Sequence, residues 1–255
     1  MTAKQVSFEN QEGILLQGIM ETSDKNTPIY AIFAHCFTCS KNSIAASRIS
    51  RSLAKKGINV LRFDFTGLGD SSGNFSETNF TSNINDLMAA FRFLQNQFYA
   101  PKVLIGHSLG GAAVLAALNH LPTIDVTVTI GAPAYAAHVT HNFNDKLSEI
   151  EQQGKAEVNL GGKQLTLTKQ FLDDLAHYHS LSFLGKIKTA LLICHSPLDQ
   201  IVAIENAQEI FKAAKHPKSF LSLGHADHLI SKQIDATLLA EVITAWSTRW
   251  VQSVE

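Results

Sequence analysis

The segment Gly106-His107-Ser108-Leu109-Gly110 constrains the fold of this 255-residue chain more than any other feature. It fits the pattern G-x-S-x-G, follows the apolar run 102–106 and precedes a helical pattern over 110–121. Glycines beside a serine suit a strained turn from a strand into a helix, where there is little room for neighbouring side chains. The pattern alone is weak, because many glycine-rich turns match it. Its position between a strand and a helix predicts that Ser108 is a nucleophile.

Short β-branched runs alternate with longer helical patterns, which predicts an α/β fold with a mostly parallel central sheet flanked by helices. An antiparallel hairpin comes first, and the strands that follow are predicted at 29–34, 58–63, 102–106, 126–130, 190–194 and 219–223. The predicted helices cover about 43–56, 79–97, 110–121, 204–214 and 235–251. About fifty residues after the strand at 126–130 lack this alternation. We therefore predict one domain over 1–255 with a short, partly helical cap inserted at about 134–184, containing a turn at 159–162.

Composition argues against several classes of function. The 21 basic and 22 acidic residues leave a net charge of -1, and no basic stripe indicates a nucleic-acid partner. The first residues lack the apolar run of a secretory signal, and the apolar stretches elsewhere are too short to span a bilayer. Three cysteines are too few for a disulfide-stapled secreted fold. We expect a cytoplasmic protein that binds neither membrane nor nucleic acid.

An acid and a base for the predicted nucleophile lie further along the chain. A serine hydroxyl is a poor nucleophile until a base takes its proton. In the chain order serine, acid, histidine, Asp199 lies in the loop after a predicted strand, and His228 lies between the last strand and the closing helix. We therefore predict a catalytic triad of Ser108, Asp199 and His228. His107 and His195 are expected to pack or hydrogen-bond beside it.

Other acidic and histidine residues near these loops are weaker candidates. His225 lies in the same loop as His228, and we favour its interpretation as an exposed loop histidine. Asp227 is too close to His228 in sequence to orient that ring well. Asp64 and Asp70 lie in a glycine-rich turn after another strand, where we expect them to hold the loop backbone rather than to catalyse.

Two backbone N–H groups are predicted to form an oxyanion hole, because the charge that develops on an attacked carbonyl needs hydrogen-bond donors. One donor should be Leu109, the residue after the nucleophile. The other should come from the loop 35–40, which follows the strand at 29–34. Cys36 and Phe37 are the candidates there, and we favour Phe37.

Cys36 and Cys39 lie in the same loop with C-x-x-C spacing, which also occurs in redox and metal sites. No second cysteine pair accompanies them, and the preceding segment lacks a thioredoxin-like setting. We favour a structural or pocket-lining role for this pair. Redox sensitivity of the two thiols is kept as an alternative.

Several longer motifs support a resemblance to a known family. They occupy residues 35–41, 62–69, 131–133, 170–175 and 216–220. With G-x-S-x-G, they make essentially the whole chain resemble the α/β-hydrolase superfamily. More narrowly, these motifs resemble the hydrolase half of bacterial proteins that fuse an α/β-hydrolase to an OsmC-type peroxidase domain. The resemblance implies the same triad and no metal or organic cofactor.

These features predict a serine hydrolase that cleaves carboxylic esters of small molecules through an acyl-enzyme. Thioesters, amides and acyl transfer are alternatives within the same chemistry. The cap should decide substrate size, and its aromatic residues either line the substrate pocket or pack the cap onto the body. These residues are Tyr135, Phe143, Phe171 and Tyr178. The fused relatives give a second hypothesis, in which the chain is a partner module that docks an OsmC-type protein and has little catalysis of its own.

Overall fold

An eight-stranded sheet forms the centre of the computed structural model, which describes residues 1–25, 27–121 and 123–251. Its strand order is β1-β2-β4-β3-β5-β6-β9-β10, and all pairs from β4 onward are parallel, whereas β2 pairs antiparallel with both β1 and β4. A separate antiparallel pair consists of β7 and β8. The predicted fold class is confirmed. The strands are β1 (Thr2–Glu9), β2 (Leu15–Thr22), β3 (Tyr30–Ala34), β4 (Asn59–Phe63), β5 (Val103–His107), β6 (Val126–Ile130), β7 (Lys155–Leu160), β8 (Lys163–Thr168), β9 (Ala190–His195) and β10 (Lys218–Ser222).

Helices cover both faces of this sheet. The α-helices are α1 (Ile44–Lys56), α2 (Phe80–Gln97), α3 (Leu109–Ala117), α4 (Leu147–Gln153), α5 (Lys169–Leu175), α6 (Glu205–Ala213) and α7 (Gln233–Ser247). One apolar cluster joins α1 and α7 to the sheet, and another joins α2, α3 and α6 to its opposite face. Strands β3 to β6 are therefore buried at every position, which accounts for their largely apolar and β-branched composition. No helix in the described part of the chain has the length and apolarity needed to cross a membrane.

Local sequence signals mark the ends of these helices. The Asn79 side chain accepts a hydrogen bond from the N–H of Ser82, and the Ser82 hydroxyl accepts one from the N–H of Asn79. This capping box satisfies donors that would otherwise be unpaired at the start of α2. Helix α1 ends at Gly57, whose φ of 111° is favourable only for glycine.

The segment between β6 and β9, where we predict a cap, contains more β structure than its sequence suggests. Two 3₁₀ stretches, Ala136–Lys146 and Ser182–Gly185, flank α4, the β7–β8 hairpin and α5. Gly161 and Gly162 form the hairpin turn with φ values of 61° and 82°. Both positive values suit a two-residue turn between antiparallel strands. We predict only a turn at this place, because the alternation of buried and exposed residues in β7 is short.

The parallel topology brings several loops to one edge of the sheet. The loops after β3, β5, β6, β9 and β10 all leave from the carboxyl ends of their strands. Ligands of open α/β sheets bind at this edge. It is where the predicted nucleophile, acid, base and oxyanion donors are all located.

Candidate active site

Ser108 lies at the turn from β5 into α3, with the backbone in a left-handed conformation at φ 54° and ψ −126°. Its N–H donates to the carbonyl of Ile130 on the neighbouring strand at 2.9 Å. A Cβ added at Gly110 would lie 2.4 Å from the backbone oxygen of His35, and one added at Gly106 would lie 2.3 Å from the backbone oxygen of Gly110. The two glycines are therefore required by close backbone contacts.

The structure brings the three predicted triad residues into one hydrogen-bonded chain. The Ser108 hydroxyl lies 3.0 Å from Nε2 of His228, and Nδ1 of His228 lies 2.7 Å from Oδ2 of Asp199. In the tautomer that fits this chain, Nδ1–H donates to the carboxylate and Nε2 accepts from the hydroxyl. The arrangement can move a proton from the serine to the histidine while the imidazole stays oriented.

The loop after β9 keeps the Asp199 carboxylate in its ionised form. The Asp199 side chain is only 2% exposed, and its Oδ1 accepts hydrogen bonds from the N–H groups of Ile201 and Val202, each at 2.9 Å. Burial opposes ionisation, but the hydrogen bonds from His228, Val202 and Ile201 outweigh it and lower the pKa of Asp199. An ionised carboxylate at this place can accept a hydrogen bond from Nδ1–H of His228 and so orient the ring.

Two buried histidines at strand ends hold the loops that carry Asp199 and His228. Nε2 of His107, at the end of β5, lies 2.7 Å from the carbonyl oxygen of His228, and Nε2 of His195, at the end of β9, lies 2.8 Å from that of Val202. Burial, assisted by the nearby His228, lowers the pKa of His107 to about 4. Burial also lowers the pKa of His195. Both rings therefore act as neutral donors, in agreement with the expectation that they hydrogen-bond beside the site.

The weaker candidates do not join this hydrogen-bonded chain. His225 is exposed. Asp227 accepts hydrogen bonds from the N–H and the hydroxyl of Ser231, near the start of α7. Asp64 and Asp70 both bind the ammonium group of Lys41. Asp64 also accepts hydrogen bonds from the N–H groups of Lys41 and Asp70, so it holds loop backbone as expected, whereas the Asp70 carboxylate binds the Lys41 side chain.

The predicted oxyanion donors Leu109 and Phe37 line the same small cavity, of about 10 Å³, together with His35 and Gly110. Within the described part of the chain, neither the N–H of Leu109 nor that of Phe37 donates to a protein acceptor. Both groups are therefore available to a substrate oxygen.

A buried ion pair anchors the loop that carries Phe37, and the sequence analysis did not find it. Lys41 is 4% exposed, and its ammonium nitrogen lies 2.5 Å from the fully buried carboxylate of Asp64. The Lys41 N–H donates to Asp64, and its carbonyl accepts from Arg62. A lysine in a polar loop gives no sign of its burial. The only available signal is its place next to the C-x-x-C segment.

Cys36 and Cys39 form a disulfide with a Cα–Cα distance of 5.3 Å, which is within the usual range. This is a pairing that the C-x-x-C spacing left open. The third cysteine, Cys194, is buried in β9. The disulfide encloses the two residues between its ends, Phe37 and Thr38, and so includes the favoured second oxyanion donor.

Two aromatic residues of the predicted cap pack beside Phe37, and a third forms a hydrogen bond with the body of the molecule. Phe143 and Phe171 are buried, and their ring centroids lie 6.5 and 5.7 Å from that of Phe37, so they pack against the loop that carries Phe37. The Tyr178 hydroxyl lies 2.7 Å from the Thr81 hydroxyl on α2 and fastens the segment to the body. Tyr135 is 39% exposed.

Comparison with known proteins adds a family match and several relatives. Residues 32–177 match the family model Hydrolase_4, described as serine aminopeptidase, S33. The structure of an esterase domain from a Rhodothermus marinus protein is 46% identical, with a TM-score of 0.80, and the match covers 99% of this chain and 100% of that one.

Two further relatives are mammalian proteins, one compared by sequence and one by structure. The mitochondrial palmitoyl-protein thioesterase ABHD10 of Rattus norvegicus is 25% identical over 208 residues, which are 78% of this chain and 67% of the relative. The solved structure of mouse alpha/beta hydrolase domain-containing protein 10 has a TM-score of 0.79 at 20% identity, covering 96% of this chain and 99% of that one. At that identity, the structural match is evidence for the fold alone.

Proposed function

The chain belongs to the Hydrolase_4 family, described as serine aminopeptidase S33, within the α/β-hydrolase superfamily, and on this premise we propose that it hydrolyses carboxylic esters at Ser108. The observation that carries the proposal is the hydrogen-bond chain from the Asp199 carboxylate through His228 to the Ser108 hydroxyl. Family membership makes the chain a hydrolase of the α/β type. The geometry supports its assignment as a serine esterase.

In the proposed reaction, His228 Nε2 takes the proton of Ser108 as the serine oxygen attacks the ester carbonyl carbon. The carbonyl π electrons move onto oxygen, and the resulting oxyanion accepts hydrogen bonds from the N–H groups of Leu109 and Phe37. As the tetrahedral intermediate collapses, the C–O bond to the alcohol breaks and His228 protonates the departing alkoxide. A water that loses its proton to His228 then attacks the acyl-enzyme and releases the acid, and Ser108 recovers its proton.

Asp199 has an electrostatic and orienting role in this scheme. Its buried, ionised carboxylate fixes the tautomer of His228 and stabilises the imidazolium that forms in both half-reactions. His107 supports the same arrangement, because it binds the carbonyl of His228 and stays neutral.

We propose carboxylic esters with a short acyl chain as substrates, on the basis of the relatives and of the space beside the proposed oxyanion donors. The 46% identical Rhodothermus marinus domain is described as an esterase, whereas the palmitoyl-protein thioesterases are only about 25% identical. The cavity beside Phe37 and Leu109 holds little more than one water molecule, and Phe171 closes one side of it. A long acyl chain would not fit there unless Phe37 or Phe171 moved.

Labelling with a fluorophosphonate tests the proposal, since this probe reacts with an activated serine. Intact mass should show one adduct, mapped to Ser108, on the wild type and none on Ser108→Ala. Labelling should be much slower in His228→Ala but unchanged in the matched control His225→Ala, which alters an exposed histidine of the same loop. The rate of hydrolysis of 4-nitrophenyl acetate should exceed that of 4-nitrophenyl palmitate. Absence of an adduct on folded wild type would refute the assignment.

We keep the partner-module hypothesis as a second candidate, because the 46% identical structure is described as the esterase domain of a Rhodothermus marinus protein. It predicts tight binding to an OsmC-type peroxidase together with turnover below detection on an ester panel. Efficient ester turnover without such binding would remove it.

A further inference from the structure

The turn that carries Phe37 is closed both by a covalent bond and by a hydrogen bond. The Cys36–Cys39 disulfide spans it, and the N–H of Cys39 donates to the carbonyl of Cys36 at 3.1 Å. Thr38 adopts a φ of 56° within the turn, a left-handed conformation that is unfavourable for a β-branched residue. The surrounding contacts therefore hold the turn in a shape that it would not prefer in isolation.

Both ends of the loop are fixed independently of the disulfide. On one side, the loop leaves β3 at His35, whose Nδ1 donates to the Cys36 carbonyl at 2.8 Å. On the other side, Lys41 is anchored to Asp64 by its backbone N–H and by its ammonium group. Opening the disulfide would therefore release the short turn and leave the rest of the loop in place.

The cap segment contacts the same turn from outside. The ammonium group of Lys163, the first residue of β8, donates to the Thr38 carbonyl at 3.0 Å, and the Phe37 ring packs on Phe171. The hydrogen bond from Lys163 is exposed, and the Phe37 ring is only partly buried although Phe171 itself is buried, so these contacts restrain the backbone of the turn less firmly than the covalent link does. The disulfide is therefore the main local constraint on the direction of the Phe37 N–H.

The two cysteine residues of the disulfide differ in their exposure to solvent. Cys36 is 6% exposed, whereas Cys39 is partly exposed at the surface of the loop. A thiolate from solution would reach Sγ of Cys39 first, because exchange requires attack on a sulfur along the S–S axis. The thiolate of Cys36 would be the leaving group of that first step.

Given the proposed esterase site, we propose that Cys36–Cys39 is a reversible redox-modification site for dithiols and that its reduction slows ester turnover. One thiolate of the dithiol attacks Sγ of Cys39, the Cys36–Cys39 bond breaks, and a mixed disulfide forms. The second thiol of the dithiol then attacks the dithiol's own sulfur in the mixed disulfide, which releases Cys39 as a thiolate. Two electrons and two protons pass to the protein, which gains two thiols, and the dithiol becomes its cyclic disulfide. The freed turn relaxes at Thr38, and the Phe37 N–H loses its alignment with the oxyanion.

The test compares oxidised and dithiothreitol-reduced wild-type protein, with no substitution, after the reductant has been removed without air. Alkylation and intact mass should count two additional thiols in the reduced form. We expect kcat for 4-nitrophenyl acetate to fall by roughly 10- to 100-fold on reduction, since complete loss of an oxyanion donor costs roughly 10²- to 10³-fold. KM should stay within about twofold, because the donor acts mainly in the transition state. Reoxidation should restore kcat.

Two variants separate the site from general effects of reduction. Cys36→Ser with Cys39→Ser should have the kcat of the reduced wild type and should not respond to dithiothreitol. Cys194→Ala removes the buried third cysteine and should respond as the wild type does. Near-ultraviolet circular dichroism should show that the reduced protein stays folded, which excludes unfolding as the cause of a lower kcat.

The possible failures are distinguishable. If Ser108 reacts with the fluorophosphonate and kcat is equal in the oxidised and reduced forms, the redox inference is wrong and the esterase proposal stands. The inference is also wrong if reduction generates no additional thiols. If the oxidised protein neither labels at Ser108 nor turns over an ester, the proposed function is wrong and the inference falls with it.

Discussion

Two carboxylates that bind one lysine allow a direct test of how burial determines the strength of an ion pair. The ammonium nitrogen of Lys41 lies 2.5 Å from both Asp64 and Asp70, but the Asp64 side chain is fully buried and the Asp70 side chain is 72% exposed. The perturbations are Asp64→Asn and Asp70→Asn. They remove the same charge at the same distance from the same partner.

The expected magnitudes differ because only one carboxylate lies away from water. Loss of one member of a buried pair destabilises a protein by roughly 3–5 kcal/mol. Asp70 still pairs with Lys41 in Asp64→Asn, but it compensates the buried charge only in part, because water screens its exposed carboxylate. In Asp64→Asn the amide also offers a donor where the carboxylate accepts from the N–H groups of Lys41 and Asp70 and from the Lys41 ammonium. We therefore expect a loss within that range. Asp70→Asn should change stability little, because water screens the exposed pair.

The assay is urea unfolding at pH 7, followed by tryptophan fluorescence and circular dichroism. For a slope of about 2 kcal/mol/M, the expected loss moves the midpoint of Asp64→Asn down by roughly 1.5–2.5 M. The midpoint of Asp70→Asn should stay close to that of the wild type. Equal midpoints for the two variants would refute the reasoning, because burial of Asp64 would then have no energetic consequence.

The other predictions concern the triad, the buried histidines and the nucleophile turn. Asp199→Asn should lower kcat by roughly 10⁴-fold, since the amide does not hold His228 in the required tautomer; a loss below about tenfold in steady-state kinetics would contradict this role. Burial lowers the pKa of His35 and of His107 to about 4, so from pH 6.5 down to about 4 the unfolded chain binds protons that the native protein does not. The free energy of unfolding should therefore fall with decreasing pH by about 1.4 kcal/mol per pH unit for each histidine. Urea unfolding of His107→Gln at several pH values should show a slope that is smaller by the contribution of one histidine. Gly110→Ala should abolish fluorophosphonate labelling and lower the melting temperature, because the added methyl would lie 2.4 Å from the backbone oxygen of His35; normal labelling would contradict that clash.

Much of the architecture could be predicted because its signals are local. Strand β6 occupies the predicted residues 126–130, and α1 and α2 begin within one residue of their predicted starts. Buried parallel strands need continuous apolar runs, and helix ends need capping residues, so both leave a trace in neighbouring positions. The sequence does not predict the β7–β8 hairpin, because β7 alternates over only six residues and β8 has no regular alternation.

The residues of the candidate site were predictable by type and order, but their contacts were not. A glycine-flanked serine between a strand and a helix, an acid after β9 and a histidine before α7 can all be recognised along the chain. The structure brings these residues into one hydrogen-bonded chain, although Asp199 and His228 are 29 positions apart and His228 and Ser108 are 120 apart. Their catalytic roles remain to be tested by the labelling experiment.

By itself, the sequence determined the fold class, the turn at Ser108 and the residues that can supply a nucleophile, an acid and a base. Only the tertiary structure decided that Lys41 is buried against Asp64, that Cys36 is bonded to Cys39, and that His107 holds the loop of His228. The physical reason is that periodicity and capping depend on near neighbours. Burial, pKa and hydrogen-bond partners depend instead on residues that meet only when the parallel strands align their carboxyl ends.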